Sequence, residues 1–424
     1  VSISGSPAGD EWPQWRGPDG QGHAEGAVDL PIRWSAAENV KWHTEIPGRG
    51  HSSPVISGQQ VWVTTAMETV ASEEEAKERL EKNTGDQPLT LLSRVSLRAI
   101  CLDRDTGKIL RNIEVLALEN PQWVHKLNSY ASPTPVLHGG RLYCHFGSLG
   151  SACVDTETGK VLWKNTEVVV NHENGPGSTP VVWANRMIFH MDGSDRQFIV
   201  ALDTESGKVV WQTDRSGEMD EMPQQKKSYA TPLLVQIGGV DQLISPAADW
   251  VYGYDPATGR ELWKFKYGEL GFSNVPRPVF GQGMLFLATG FGRSYMLGLK
   301  LDGEQVPKEV WRHKKGVPRM PSPILVGEQL YFISDNGIVS CLEAASGETL
   351  WQERLDGNYS ASPLFADGHL YFCSQEGKIQ VLAPGPDYQL LADNDMGSPI
   401  MASPAAVGKA IYLRSASGLY RIEK

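Results

Sequence analysis

Cysteine is scarce in this chain: five among 424 residues, none in a CxxC, CxxCH or adjacent pair. That argues against a disulfide framework, a c-type haem or a cysteine-held metal. Long apolar runs are also missing. Nothing approaches the roughly 18 consecutive apolar residues of a membrane span, so no membrane insertion is expected. Positive charge is not in excess either. With 39 basic against 50 acidic residues the formal charge is −11, which speaks against nucleic acid as a partner. There is no HExxH, no GxSxG elbow and no phosphate-binding loop, so no catalytic residue is assigned. The numbering opens on Val1 and a small, polar stretch. This reads as a chain whose leader is gone, and so as secreted or periplasmic.

What the sequence does have is repetition. A small residue, Pro and an apolar run recur at Ser53-Pro54, Thr134-Pro135, Thr179-Pro180, Thr231-Pro232, Arg277-Pro278, Ser322-Pro323, Ser362-Pro363 and Ser403-Pro404. In most of these eight copies a second apolar run starts seven residues after the proline, as at Leu142, Leu330 and Leu370. Downstream comes an apolar pair, an acid, Thr/Ser-Gly and often Trp: Asp155-Gly159-Trp163, Asp203-Gly207-Trp211, Asp255-Gly259-Trp263, Glu343-Gly347-Trp351. Each unit holds four short runs with turn signals between them, at a spacing of about 40 to 50 residues.

This predicts an all-β fold: one eight-bladed β-propeller with four antiparallel strands per blade. The last copy ends after three strands. The segment 40–46, with Trp42 in the expected place, supplies the fourth, so the ring is closed by an N-terminal strand pairing with the last blade. Closure of this kind removes exposed sheet edges. Residues 1–39 are an N-terminal extension and 40–424 the propeller, with a partly helical insertion at 67–94. Ser72 and Glu75 form a capping-box start there, and a helix of about three turns stopping at Gly85 is expected.

The Asp-x-x-Thr-Gly-x-x-x-Trp phrase resembles the tryptophan-docking repeat of quinoprotein-like (PQQ-like repeat) propellers. That group holds the quinoprotein alcohol dehydrogenases and the propeller lipoprotein of the outer-membrane assembly machinery. The opening Trp12-Pro13-Gln14-Trp15-Arg16-Gly17 is similar to that of secreted bacterial members. The dehydrogenases place two adjacent cysteines beside their cofactor; this chain has none. Their calcium-binding residues find no match here, so no cofactor is expected.

Up-and-down connectivity brings the segments leading into each first strand to one face, with the loops between second and third strands. The expected ligand-binding channel mouth is therefore Arg49, His51, Tyr130, Asn174, Lys227, Tyr229, Asn274, Arg277, Arg319 and Tyr359. The four basic members suggest a funnel for an anionic group. A second tier comprises Asp192, Asp195, Arg196, Asp249 and Trp250, with Asp335 nearby. Such acidic turns can hold Ca²⁺ but more often are hairpin turns. His125, His172 and Glu173 fall on the same side without metal-ligand spacing. Cys144 and Cys153 lie equidistant from the hairpin centre and are expected to face each other.

Three readings of function follow. The first is a monomeric extracytoplasmic binding scaffold that recognises a protein, peptide or glycan at the mouth. The second is an atypical PQQ-dependent alcohol or sugar dehydrogenase, which would need PQQ on the basic rim and Ca²⁺ on the acidic turns. A third is a polysaccharide-active enzyme using Asp192 or Asp195 with Asp249.

Overall fold

The computed structural model describes residues 11–424 except 36, 37, 82, 84–86, 269 and 304. Eight sheets follow one another along the chain as blades, each built on four antiparallel strands, with a short fifth strand, His23–Ala24, added to blade 7. We letter the strands A to D from the axis outward. In blade 2, for example, these are Val136–His138, Arg141–His145, Ser151–Asp155 and Val161–Asn165. The predicted closure is present. Val40–Thr44 pairs antiparallel with Gly418–Ile422 as strand D of blade 8.

The Ser/Thr-Pro phrase has a physical reason. The backbone N–H of Ser53 donates to Thr134 Oγ1, Thr134 to Thr179, and Thr179 to Thr231, at 2.9 to 3.1 Å. Arg277 then donates to Ser322 Oγ, Ser322 to Ser362 and Ser362 to Ser403, at 2.9 to 3.0 Å. Each hydroxyl thus satisfies a buried N–H of the preceding blade, which otherwise would cost about 1–3 kcal/mol. The relay breaks before blade 5, where Arg277 replaces the hydroxyl. No bond continues it from Ser403 to Ser53 at the ring closure.

The Trp-Gly spacing has one too. Trp163 of blade 2 lies against Gly207 of blade 3, where a Cβ would sit 2.4 Å from the indole, and its Nε1 donates to Thr204 O. Trp311 meets Gly347 in the same way. Within its own blade each indole faces a small residue across the ladder: Cys153, Ala201, Gly253, Gly298 or Cys341. Blade 1 has Arg111 opposite Cys101, and its side chain packs over Gly159 instead.

The cysteine expectation fails by one residue. Tyr143, not Cys144, pairs with Cys153, and Cys144 pairs with Ala152. A one-residue slip turns the side chain to the other face of the sheet. All five cysteines are free and buried.

The N-terminal segment packs on the ring. Trp12 bridges Ile56 of blade 1, and Pro13 O accepts from Leu137 N of blade 2. Arg16 Nη2 donates to Pro323 O of blade 6 at 2.6 Å, and His23–Ala24 runs parallel to strand A of blade 7. Blades 2 and 6 are opposite in an eight-membered ring, so the segment crosses the axis. Gly17 and Gly20 permit the crossing. Both have positive φ, and a Cβ would stand 2.7 Å from Trp12 or 2.4 Å from Arg277.

Blade 1 carries a projection. Its strands B, C and D are Gln60–Val70, Leu92–Asp103 and Ile109–Glu119. In most other blades strand B ends at the position of Thr64, and in blades 3 and 8 one or two residues further on, so the hairpin rises roughly 20 Å higher than most on the mouth face. Helix α1 (Glu73–Leu80) joins B to C with the expected capping box, but it has two turns and a C-cap at Glu81. The expected stop, Gly85, lies outside the described residues. Arg79 pins the helix through Leu92 O and Pro121 O.

Candidate functional site

The segments leading into strand A sit where the blades wedge together, and this decides the fate of the expected rim. Side chains there are packed between blades rather than presented to a funnel. Arg277 is 1 % exposed and turned toward the N-terminal segment, where Nη1 donates to Trp15 O and Gly20 O. Burial lowers its pKa to about 10. Arg16 beside it is lowered to about 9 by burial and by Arg277. Lys227 is buried in an ion pair with Glu173 at 2.9 Å and donates to Gln224. Asn274 is buried and donates to Tyr267. Tyr130 and Tyr359 are fully buried, bonded to Thr90 O and to Gln380. These five expected rim residues, Arg277, Lys227, Asn274, Tyr130 and Tyr359, do not line an open mouth.

Others are placed at its edge. Tyr229 is half-buried and donates to His172 O, and Asn174 O accepts from His125 N and Asn128 Nδ2. Arg319 is exposed and lies over Phe291, and its backbone N–H donates to Asp335.

The second tier is equally committed. Asp192 has no exposed side-chain surface and is gripped by Arg215 through both oxygens, at 2.9 and 2.7 Å. Asp195 is exposed and accepts from Asn171 N, and Arg196 lies over Phe198. Asp249 is buried and takes a left-handed turn conformation with φ 62°. Trp250 is half-buried, donates to Glu218 O and lies under Lys264 and Lys266. With Asp192 sealed against Arg215, that carboxylate does not flank a glycan cleft with Asp249. His125 accepts from Leu127 N through Nδ1.

Of the basic groups expected to hold a quinone's carboxylates, Lys227 is paired with Glu173 and Arg277 is spent on backbone carbonyls, while Arg49 donates to Lys126 O through Nη2 alone and Arg319 is exposed. Among the described residues no three His, Cys, Asp or Glu side chains converge as a metal site.

Two of the cavities among the described residues lie on the mouth face. A small one of about 20 Å³ in blades 2 to 4 is lined by His145, His172, His190, Asp192 and Tyr229. Burial holds His145 at about 3 and His172 at about 4, and keeps His190 well below its ordinary value. All three are neutral near pH 7. The larger, about 330 Å³, opens between blades 8 and 1. Arg49 and His51 line it, together with Pro399, Met401 and Arg414. Of the expected rim, only these two residues join this opening.

Arg414 was not among the expected residues. It stands ten residues after its repeat proline, where other copies place Ala288, Ile333 and Cys373. Alignment of the repeats on their prolines would have exposed it, along with His145 and His190 at the same position.

Comparison with known proteins fits this architecture. The family described as outer membrane protein assembly factor BamB matches residues 32–166, 98–235 and 300–418. The chain belongs to this family of PQQ-like repeat propellers. BamB of Alkalilimnicola ehrlichii is 27 % identical over 136 residues, 32 % of this chain and 35 % of that protein. BamB of Legionella pneumophila is 26 % identical over 172 residues, 38 % of this chain and 42 % of that one. The chain thus spans less than half the length of these two relatives. Among solved structures, BamB from Moraxella catarrhalis superposes with a TM-score of 0.54 at 13 % identity, covering 79 % of this chain and 94 % of that one. A europium-containing methanol dehydrogenase superposes with a TM-score of 0.63 at 12 % identity, covering 97 % and 90 %. At such identities the structures share the fold alone.

Proposed function

We propose that this propeller is an extracytoplasmic binding scaffold that holds a partner protein on its mouth face, with the blade 1 projection as its grip. The projection carries the reading. It is an ordered hairpin, hydrogen-bonded along its length and pinned by Arg79, yet it presents apolar side chains to water. Met67 is 43 % and Val70 71 % exposed, and Leu127 at its foot is 57 % exposed. Apolar side chains held out on an ordered projection offer a surface for contact with another protein. The assembly-factor name of the relatives supports a protein partner, and it supports a periplasmic setting. Among the described residues no helix is long and apolar enough to cross a membrane.

A photo-crosslinking residue at Val70, in cells that make the protein natively, tests this. A discrete adduct with one polypeptide, absent when the residue is placed at Lys164 on an outer strand, is expected. No adduct at Val70, or the same adduct at both places, refutes the projection as the grip. The proposal includes no quinone. Calorimetric titration with PQQ, with and without Ca²⁺, is expected to give no heat, and micromolar binding would revive the dehydrogenase.

A further inference from the structure

The pocket between blades 8 and 1 is built unlike the rest of the mouth. Arg414 rises from strand B of blade 8 and is 3 % exposed. Its Nη1 donates to Ser52 O, Ser52 Oγ and Thr64 O at 3.0, 2.6 and 2.9 Å, which staples blade 8 to blade 1 where the hydroxyl relay lapses. Among the described residues Nε and Nη2 donate to no protein atom, and no carboxylate pairs with the guanidinium. Nη2 lies beside Gly50, where a Cβ would come within 2.7 Å. The absence of a side chain at Gly50 keeps the space beside this donor open. Arg49 and His51 line the same space, while Ile46, Pro399, Met401 and Ala402 give it an apolar wall. The acid that Arg49 senses, Glu68, stands on the projection and does not line the pocket.

A buried cation without a counter-ion is costly unless an anion completes it. We propose that this pocket binds a carboxylate joined to a short apolar body, with Arg414 Nη2 and Nε as the donors, Arg49 as the second charge and Met401 and Ile46 against the apolar part. His51, between two arginines, is lowered to about 3 by burial first and by Arg49 and Arg414 next, so it stays neutral and serves as a hydrogen-bonding wall. Such a group comes either from a small free acid or from the C-terminus of a polypeptide. The inference does not need the projection and stands if that reading fails.

The test is calorimetric titration of the whole protein with N-acetyl-leucine, with N-acetyl-leucine amide, and with a short peptide ending in leucine as free acid or amide. Binding of the acids at about millimolar Kd or tighter, with the amides at least tenfold weaker, is expected. A peptide tighter than N-acetyl-leucine assigns the site to a polypeptide terminus, and equal affinities assign it to a small acid. Both outcomes uphold the carboxylate site. Equal binding of acids and amides, or no binding of either acid, overturns it. Arg414→Met also removes the bonds that join blade 8 to blade 1, so Ala416→Glu, at an exposed position, serves beside it. That variant places a carboxylate on the pocket lining and should weaken N-acetyl-leucine binding at least tenfold while the circular dichroism spectrum is unchanged. Undiminished binding in that folded variant also overturns the site.

Discussion

Arg277 and Arg414 are both buried, both without a carboxylate, and both stand where the hydroxyl relay between blades is interrupted. They differ in what surrounds the rest of the guanidinium. Arg277 is covered by the N-terminal segment, whose Trp15 and Gly20 carbonyls accept from it. Arg414 uses one nitrogen to hold two blades together and leaves two on an open cavity. An unpaired buried cation walled by carbonyls is a fastening. The same cation walled by space is a receptor. A third solution lies in blades 2 to 4, where the buried bases are histidines and resolve the cost of burial by staying neutral.

The histidines give the largest effect. Their folded pKa values lie below the ordinary 6.5, so the unfolded chain binds more protons once the pH drops below that value. Their contribution is complete above pH 6.5 and is lost as pH falls from there through the folded values, about 4 for His172 and about 3 for His145. His145 and His172 each cost on the order of 2 kcal/mol at pH 5. Chemical denaturation at pH 7 and pH 5 should therefore show a steep loss, and His172→Leu should flatten it by about 2 kcal/mol. An unchanged slope would mean that His172 accepts a proton inside the fold.

Arg277→Ala comes next. It strips two charge-assisted bonds from carbonyls the ring has buried, at about 1.5 kcal/mol each. A loss of about 3 kcal/mol is expected, together with faster proteolysis between Trp12 and Gly22. If the cleavage rate stays the same, the segment is held by its other contacts and the contrast with Arg414 collapses.

The smallest effect has the opposite sign. Arg111 stands at the repeat position that Trp fills in blades 2 to 6, packed over Gly159 with no indole to seal the gap. Arg111→Trp should stabilise by about 0.5 to 1 kcal/mol in thermal denaturation, as restoring a repeat consensus commonly does. Destabilisation would show that the step from blade 1 to blade 2 needs its arginine, which bonds Glu157 O.

Legibility in the sequence followed the same division. The blades, their number and the closing strand at Trp42 could be read because each is fixed by local spacing and by the demand that no edge be left open. The Cys144–Cys153 pairing could not, because the irregular turn around Phe146 to Ser148 shifts the register by one, and counting to a hairpin centre assumes a regular turn. The rim failed for a different reason. Position before a proline says which loop a residue is in, not whether its side chain turns to solvent or between blades, and Arg277, Lys227 and Tyr359 turn inward. Arg414 was legible in principle. A charge in a column of Ala288, Ile333 and Cys373 is the kind of exception that a repeat makes visible.

The closure at Val40 to Ile422 has a consequence for the birth of the molecule. A chain made at about 5–20 residues per second exposes Trp12, Trp34 and Trp42 early. The partners of Trp34 and Trp42 in blades 7 and 8 emerge tens of seconds later. During that interval the first blade has no neighbour on one side, and the N-terminal segment lacks its far-side partners. The finished ring buries Trp34 and Trp42 and pairs the edge of its last blade. The growing chain offers these two tryptophans and an open edge to whatever meets it first.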